Sequence, residues 1–140
     1  MNNIPIEKNK EYKVEIIDNG YEGEGIAKIN DFTIFIDGAI KGEICKILIV
    51  KVNKSFAFGK LMEVINKSEY RVEPDCSTYK RCGGCNLRHI KYEETLRLKR
   101  EMVQNLVNKS LDKKIEVNNV IGMAEPYYYR NKLQYPIRKR

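Results

Sequence analysis

The chain has 140 residues, enough for one domain of ordinary size or two small ones. Its 42% apolar and 32% charged residues are typical of a folded soluble protein, and its formal net charge of +7 favours an acidic partner. No apolar run approaches the roughly 18 residues of a membrane span, and the first residues lack the apolar core of a secretion signal. The composition therefore argues against membrane-spanning and secreted classes and predicts a cytoplasmic protein with no membrane partner.

The positive charge is concentrated in the second half of the chain. Residues 1–66 carry nine Lys, no Arg and ten acidic residues, whereas residues 67–140 carry 17 Lys and Arg against nine acidic residues. Arg provides a planar, bidentate recognition of phosphate that Lys does not. This change in composition predicts two domains, 1–66 and 67–140, although a solvated basic face is the alternative explanation for the second half.

Five segments of the first domain alternate between apolar and polar residues with a period of two. They are EYKVEII, GIAKI, FTIFI, EICKILIVKV and FAFGKLMEV, and the turns between them are rich in Gly, Asn and Asp. Five short strands with polar turns in under seventy residues favour a closed or partly closed barrel over an open sheet with long edges. We therefore expect an OB-like β-barrel.

The last turn of this barrel carries aromatic and basic residues. Phe56 and Phe58 share one face of the fifth strand, and alternation favours the core for both. The lysines around them, Lys51, Lys54 and Lys60, are predicted to contact nucleic-acid phosphates, because small barrels of this type commonly bind nucleic acid.

The segment NGYEGEGIAKINDFTIFIDGAIKGE, followed by KVNKSFAFGKLMEV, resembles a TRAM domain. TRAM domains are RNA-binding barrels attached to RNA-modifying enzymes, and the resemblance spans residues 8–66. One departure is Lys41, where the family often has proline. The resemblance implies that the barrel binds RNA.

Three of the four cysteines, Cys76, Cys82 and Cys85, lie within the ten residues CSTYKRCGGC. Closely spaced cysteines in a reducing compartment are more often metal ligands or redox groups than structural disulfides. The spacing leaves three options: an iron–sulfur cluster, a zinc site completed by His89, or a redox dithiol of Cys82 and Cys85. The fourth cysteine, Cys45, lies on the inward face of a predicted strand and is expected to be a small core residue.

The second half begins an α+β domain with this cysteine-rich metal loop. Helical spacing of apolar residues predicts a helix at about 91–110, and short strands are predicted at about 115–121 and 131–138. In the segment EPYYYRNKLQYPIRKR, Arg130 and Lys132 are expected to contact RNA phosphate, and Asn131 a base edge or the backbone. The alternative places the tyrosines in a core and the charges in water.

Two motifs, CGGCNLRHIKYEETLRLKREMV and YRNK, resemble the RNA (uracil-5-)-methyltransferase family of the 23S rRNA type. Its members often carry a TRAM domain followed by a [4Fe-4S] cluster. The resemblance implies that Cys76, Cys82 and Cys85 are cluster ligands, that His89 is not one, and that the fourth ligand comes later. It also implies a parent enzyme in which a cysteine thiolate adds to a flipped-out uracil and S-adenosylmethionine methylates it.

The sequence contains no Gly-rich cofactor-binding unit and no catalytic constellation. No catalytic or cofactor-binding residue is therefore predicted in this chain, the catalytic domain is expected past Arg140, and the chain alone is expected to be inactive. The predicted partner is RNA, most specifically 23S rRNA, and no protein partner is evident. The alternatives are a free-standing RNA-binding module with an iron–sulfur or zinc centre, and a redox-sensing regulator.

Overall fold

The computed structural model describes residues 3–139, which form six β-strands and two helices. The elements are β1 (Glu11–Glu15), β2 (Asp18–Asn19), β3 (Gly25–Ile29), β4 (Phe32–Ile36), β5 (Ile44–Val52), β6 (Phe56–Asn66), α1 (Tyr79–Cys82) and α2 (Tyr92–Ser110). The strands form one sheet in the order β1-β5-β6-β4-β3-β2. All neighbours are antiparallel except β4 and β6, which run parallel.

The two edge strands, β1 and β2, are consecutive parts of one bent stretch of chain. Only Ile16 and Ile17 separate them. The Ile16 N–H donates to the carbonyl of Glu43, just before β5, at 2.9 Å, and the Ile17 N–H donates to Ile26 on β3 at 2.8 Å. The stretch thus pairs with β5 before the bend and with β3 after it, so the sheet curls without a ladder between its two edges. The OB-like architecture is confirmed, and the predicted number of strands was one too few because Asp18 and Asn19, just after the first predicted strand, form the additional strand β2.

Branched aliphatic side chains fill the interior of the barrel, as its alternating pattern predicts. Large side chains with less than 2% of their surface exposed include Ile16, Ile34, Ile36, Ile47 and Ile49.

The inward face of β6 carries small residues, not aromatic ones. Ala57 is fully buried, whereas Phe58 is 41% exposed. A Cβ atom at Gly59 would lie 3.1 Å from the Cδ1 atom of Ile47, so this position has little room for a larger side chain. The prediction that Phe56 and Phe58 are core residues was wrong, because alternation shows which residues share a face but not which face points inward.

Residues 67–139 contain helices but no sheet of their own. Arg71 and Ile90 form an isolated antiparallel bridge, and α2 occupies the region where a helix was predicted. The strands predicted at 115–121 and 131–138 are not formed in the described part of the chain, which has no strand after β6. A strand needs a neighbour to satisfy its backbone groups, and these segments have none here. No helix within residues 3–139 is long and apolar enough to cross a membrane.

A buried ion pair joins the barrel to the second half. Glu43 is fully buried, and its carboxylate accepts hydrogen bonds from Arg71 Nε at 2.6 Å and Nη2 at 2.8 Å. The backbone N–H groups of Ile40 and Ser68 also donate to it, and Arg71 donates to the carbonyl of Gly38. Burial opposes ionisation of Glu43, but the bonds from Arg71 and the backbone outweigh it, so its pKa lies below the ordinary value.

We expect Glu43→Gln to lower the free energy of unfolding at pH 7 by about 3–5 kcal/mol, because it leaves the charge of Arg71 without a buried partner. Urea denaturation measures this change. The control is Glu11→Gln, which breaks the exposed 2.9 Å pair between Glu11 and Lys46 and should change stability little. Equal effects of the two substitutions would contradict the importance of the buried pair.

The effect of Glu43→Gln on stability should also depend on pH. Because the folded-state pKa of Glu43 is lowered, its ionised form stabilises the fold above the ordinary value of 4.5. That contribution is lost as the pH falls through the lower folded-state pKa. The stability difference between wild type and Glu43→Gln should therefore shrink below pH 4.5.

Candidate nucleic-acid interface and cysteine loop

Three phenylalanines form a patch on the outer face of the barrel. The ring centroids of Phe35, Phe56 and Phe58 lie 5.5 to 6.1 Å apart. The parallel pairing of β4 with β6 brings them together, because it places Phe35 opposite Phe58. Phe56 is two residues from Phe58 and so shares its face. This aromatic patch offers apolar ring surface to a ligand.

The predicted lysines surround the aromatic patch. Lys51 lies opposite Phe58 in the β5–β6 ladder, Lys60 follows Phe58 by two residues, and Lys54 lies in the turn between these strands. All three are exposed. Sequence analysis missed Phe35, since only the pairing of β4 with β6 reveals its proximity to the other two rings. Exposed rings bordered by lysines can stack on bases and contact phosphates at one surface.

Cys45 lies apart from the cysteine loop, inside the barrel. It is fully buried, as predicted. Burial, together with the nearby Glu43 carboxylate, raises the pKa of its thiol to about 11. A thiol that stays protonated is a poor nucleophile and a poor ligand, so Cys45 acts as a small core residue.

The other three cysteines lie in one loop around α1. The Cys76 thiol is 3.3 Å from the Thr78 hydroxyl, and this hydrogen bond is the main reason that the pKa of Cys76 lies below its ordinary value. Gly83 ends α1 in the left-handed conformation, with φ of 66°. This conformation suits glycine and lets the chain turn between Cys82 and Cys85.

The cysteine loop does not form a ready-made metal site. Cys82 and Cys85 are exposed and Cys76 is half-buried. Among residues 3–139, no three His, Cys, Asp or Glu side chains come together as a group that could hold a metal ion. The thiols are suitable donors for iron–sulfur or zinc centres, but the loop would have to close to bring them together.

His89, the only histidine of the chain, is buried beside this loop. It is 3% exposed, and its Nδ1 atom lies 2.8 Å from the Tyr79 hydroxyl. Its Nε2 atom has no hydrogen-bond partner within the described ranges. Burial, reinforced by the charge of Arg71, lowers the pKa of His89 to about 4. His89 is thus neutral at pH 7, and its bond to Tyr79 attaches α1 to the segment that leads into α2.

The basic carboxyl-terminal segment contacts the cysteine loop. Arg130 Nη2 donates to the carbonyl of Gly84 at 3.4 Å, within the CGGC turn. The guanidinium of Arg88 lies 5.1 Å from the centre of the Tyr127 ring, and its Nε atom donates to Asp75 at 2.6 Å. The cation–π contact of Arg88 with Tyr127 and the hydrogen bond of Arg130 to Gly84 place the carboxyl-terminal segment beside the cysteine loop.

The predicted RNA contacts therefore fall into two groups. The first group surrounds the aromatic patch. The second group adjoins the cysteine loop and consists of exposed residues: Arg130, Asn131 and Lys132.

Comparisons with known proteins show what the chain is similar to. Residues 5–62 match the TRAM domain family. A Clostridium acetobutylicum protein described as an uncharacterized RNA methyltransferase is 50% identical over 96% of this chain and 30% of its own length. Proteins with the same description from Clostridium tetani and Oceanobacillus iheyensis are 49% and 42% identical over 97% and 95% of this chain. The chain spans about 30% of the length of these relatives.

The chain is also similar to a solved structure. This is the solution structure of a conserved protein from Methanococcus maripaludis, with 40% sequence identity and a TM-score of 0.43. The similarity covers 45% of this chain and 90% of that protein.

We expect an NMR titration of the imidazole of His89 to give a pKa of about 4, below its ordinary value of 6.5. Because His89 is the only histidine, its signals need no assignment by mutagenesis. The neutral form stabilises the fold above pH 6.5, and this contribution is lost as the pH falls towards 4. A titration midpoint near 6.5 would show that His89 is solvated and would contradict its burial.

Proposed function

We propose that this chain, whose residues 5–62 are the TRAM domain expected from the sequence, is the amino-terminal RNA-binding part of an RNA uracil-5-methyltransferase. The TRAM domain and the relatives described as RNA methyltransferases support an RNA-binding part of an RNA methyltransferase. The uracil-5 class and the 23S rRNA target rest on the resemblance of the CGGC and YRNK motifs. The enzyme would act in the cytoplasm.

The observation that carries the RNA-binding role is the aromatic patch with its surrounding lysines. Nucleobases that are not paired can stack on exposed phenylalanine rings, and each such contact contributes about 1–3 kcal/mol. Phe58, the most exposed ring of the three, would take a base, while Lys51 and Lys60 contact the adjoining phosphates. This combination favours single-stranded RNA, because bases in a duplex do not expose their faces.

The residues beside the cysteine loop would provide the second contact. Arg130 donates a long hydrogen bond to the carbonyl of Gly84, so its guanidinium lies beside the CGGC turn. Arg130 and Lys132 would neutralise phosphates, and Asn131 would bond a base edge or the backbone. These residues bind and orient RNA. The methyl group would come from S-adenosylmethionine held by the rest of the enzyme.

We further propose that Cys76, Cys82 and Cys85 hold a [4Fe-4S] cluster together with a ligand from outside this chain. The CxxxxxCxxC spacing supports this proposal, as do the exposure of Cys82 and Cys85 and the lowered pKa of Cys76. Closing the loop on a cluster would fix the CGGC turn, and with it the position of Arg130.

The complete gene product, incubated with ribosomal RNA and S-adenosylmethionine, should form 5-methyluridine, detected by mass spectrometry of digested RNA. We expect Phe58→Ala to raise the KM for RNA about 5- to 160-fold, which corresponds to the loss of about 1–3 kcal/mol of stacking. The kcat should stay unchanged, because the patch contacts RNA away from the reacting base.

The control is Met62→Ala on the same strand, since Met62 is 47% exposed but lies outside the aromatic patch. Replacing Arg130 and Lys132 by Ala should instead flatten the salt dependence of binding, by about 0.7 in log–log slope for each phosphate contact. RNA binding without any methylation would contradict the proposed enzyme and favour a stand-alone binding module. An unchanged KM in Phe58→Ala would contradict the role of the patch.

We expect Cys82→Ser to remove iron and acid-labile sulfide from the complete gene product purified without oxygen, because a cluster that loses a thiolate ligand is not retained. Cys45→Ala is the matched control and should leave the iron content intact, as Cys45 lies in the barrel core. Zinc in place of iron would refute the cluster. Full iron content in Cys82→Ser would remove Cys82 from the ligands.

A further inference from the structure

The segment that follows α2 returns along the helix in an extended conformation. No turn or bend interrupts residues 114–123. The Gln104 side chain donates from Nε2 to the carbonyl of Ile115 and accepts from the N–H of Val117, each at 2.8 Å. Arg100 Nε donates to the carbonyl of Val117 at 2.9 Å. Side chains of α2 thus take the place of a neighbouring strand along one edge of this segment.

The contacts continue along the same ridge of the helix. The Tyr92 hydroxyl accepts from the N–H of Met123 at 2.8 Å, and a Cβ atom at Gly122 would lie 2.7 Å from Leu96. The contacting helix residues, Tyr92, Leu96, Arg100 and Gln104, are spaced four apart. From Gln104 to Tyr92 the helix rises about 18 Å, and the stretch from Val117 to Met123 spans about 20 Å when extended, so the segment covers the ridge along its length.

The opposite edge of the segment is open. In an extended chain, the N–H and C=O groups of alternate residues point to opposite edges. Residues 115, 117 and 123 direct theirs to α2. By this alternation the backbone groups of Glu116, Asn118 and Val120 face the other edge, and they form no hydrogen bond within residues 3–139.

We propose that residues 115–121 offer this open edge to a β-strand contributed by the part of the methyltransferase that lies outside this chain. The proposal rests on the proposed function, since the relatives have about 70% of their length outside the aligned region. Strand addition of this kind gains main-chain hydrogen bonds, and an edge already held extended loses less entropy on pairing. Exposed apolar side chains on the segment, Ile115, Val120 and Ile121, would be covered by the same event.

Hydrogen exchange followed at residue resolution by NMR tests the proposal by comparing this chain with the complete gene product. In the chain alone, the amides of Glu116, Asn118 and Val120 should exchange rapidly. In the complete product we expect them to slow by on the order of 100-fold or more. The Val117 amide should be protected in both, because Gln104 already holds it.

A variant pair shows whether α2 prepares the edge. Gln104→Ala removes both bonds to the segment and should reduce the protection of Glu116 and Asn118 in the complete product. Lys99→Ala, an exposed change elsewhere on α2, should leave the protection unchanged.

Three results would overturn the inference. The first is rapid exchange at these amides in the complete product. The second is equal protection in the chain alone, which would mean that the edge pairs with a segment such as 131–138. The third is a gene product that ends at Arg140. The methylation assay separates this inference from the proposed function. Methylation without amide protection would support the proposed function and refute the inference. Amide protection without methylation would support the inference and refute the proposed function.

Discussion

The arrangement of the two halves depends on a carboxylate that water cannot reach. Glu43 stays ionised only because Arg71 and two backbone N–H groups compensate it inside the protein. Glu43 precedes β5 and Arg71 follows β6, so the pair fixes where the chain leaves the barrel. The backbone bond from Val72 to His89 then ties the start of the second half to the residues that lead into α2. The cysteine loop between them takes its position from the barrel.

The barrel was largely predictable because its determinants are local. Period-two alternation and Gly- or Asn-rich turns located five of the six strands and the buried position of Cys45. Which face of β6 points inward was not predictable, because it depends on the space left by residues of other strands, such as Ile47 against Gly59. The candidate interface emerged only with the parallel pairing of β4 and β6, which adds Phe35 to the patch.

The structure of the second half was harder to predict from the sequence than the barrel, because more of it depends on contacts between distant residues. A helix satisfies its backbone hydrogen bonds within itself, so apolar periodicity was enough to indicate where α2 lies. A strand requires a partner, and the strand predicted at 115–121 describes what that segment can form, not what it forms here. The ion pair of Glu43 with Arg71 and the contact of Tyr79 with His89 join residues that are not neighbours in sequence. Sequence spacing therefore does not predict them.

The burial of Cys45 has a consequence for the chemistry of the whole chain. With a thiol pKa of about 11 and no exposed surface, Cys45 is closed to oxidants and alkylating agents. Every thiol that such reagents can reach therefore lies between Cys76 and Cys85. Thiol oxidation would fall on the cysteine loop and leave the barrel intact, so a protein that has lost the order of its loop would still carry a folded barrel with its aromatic patch.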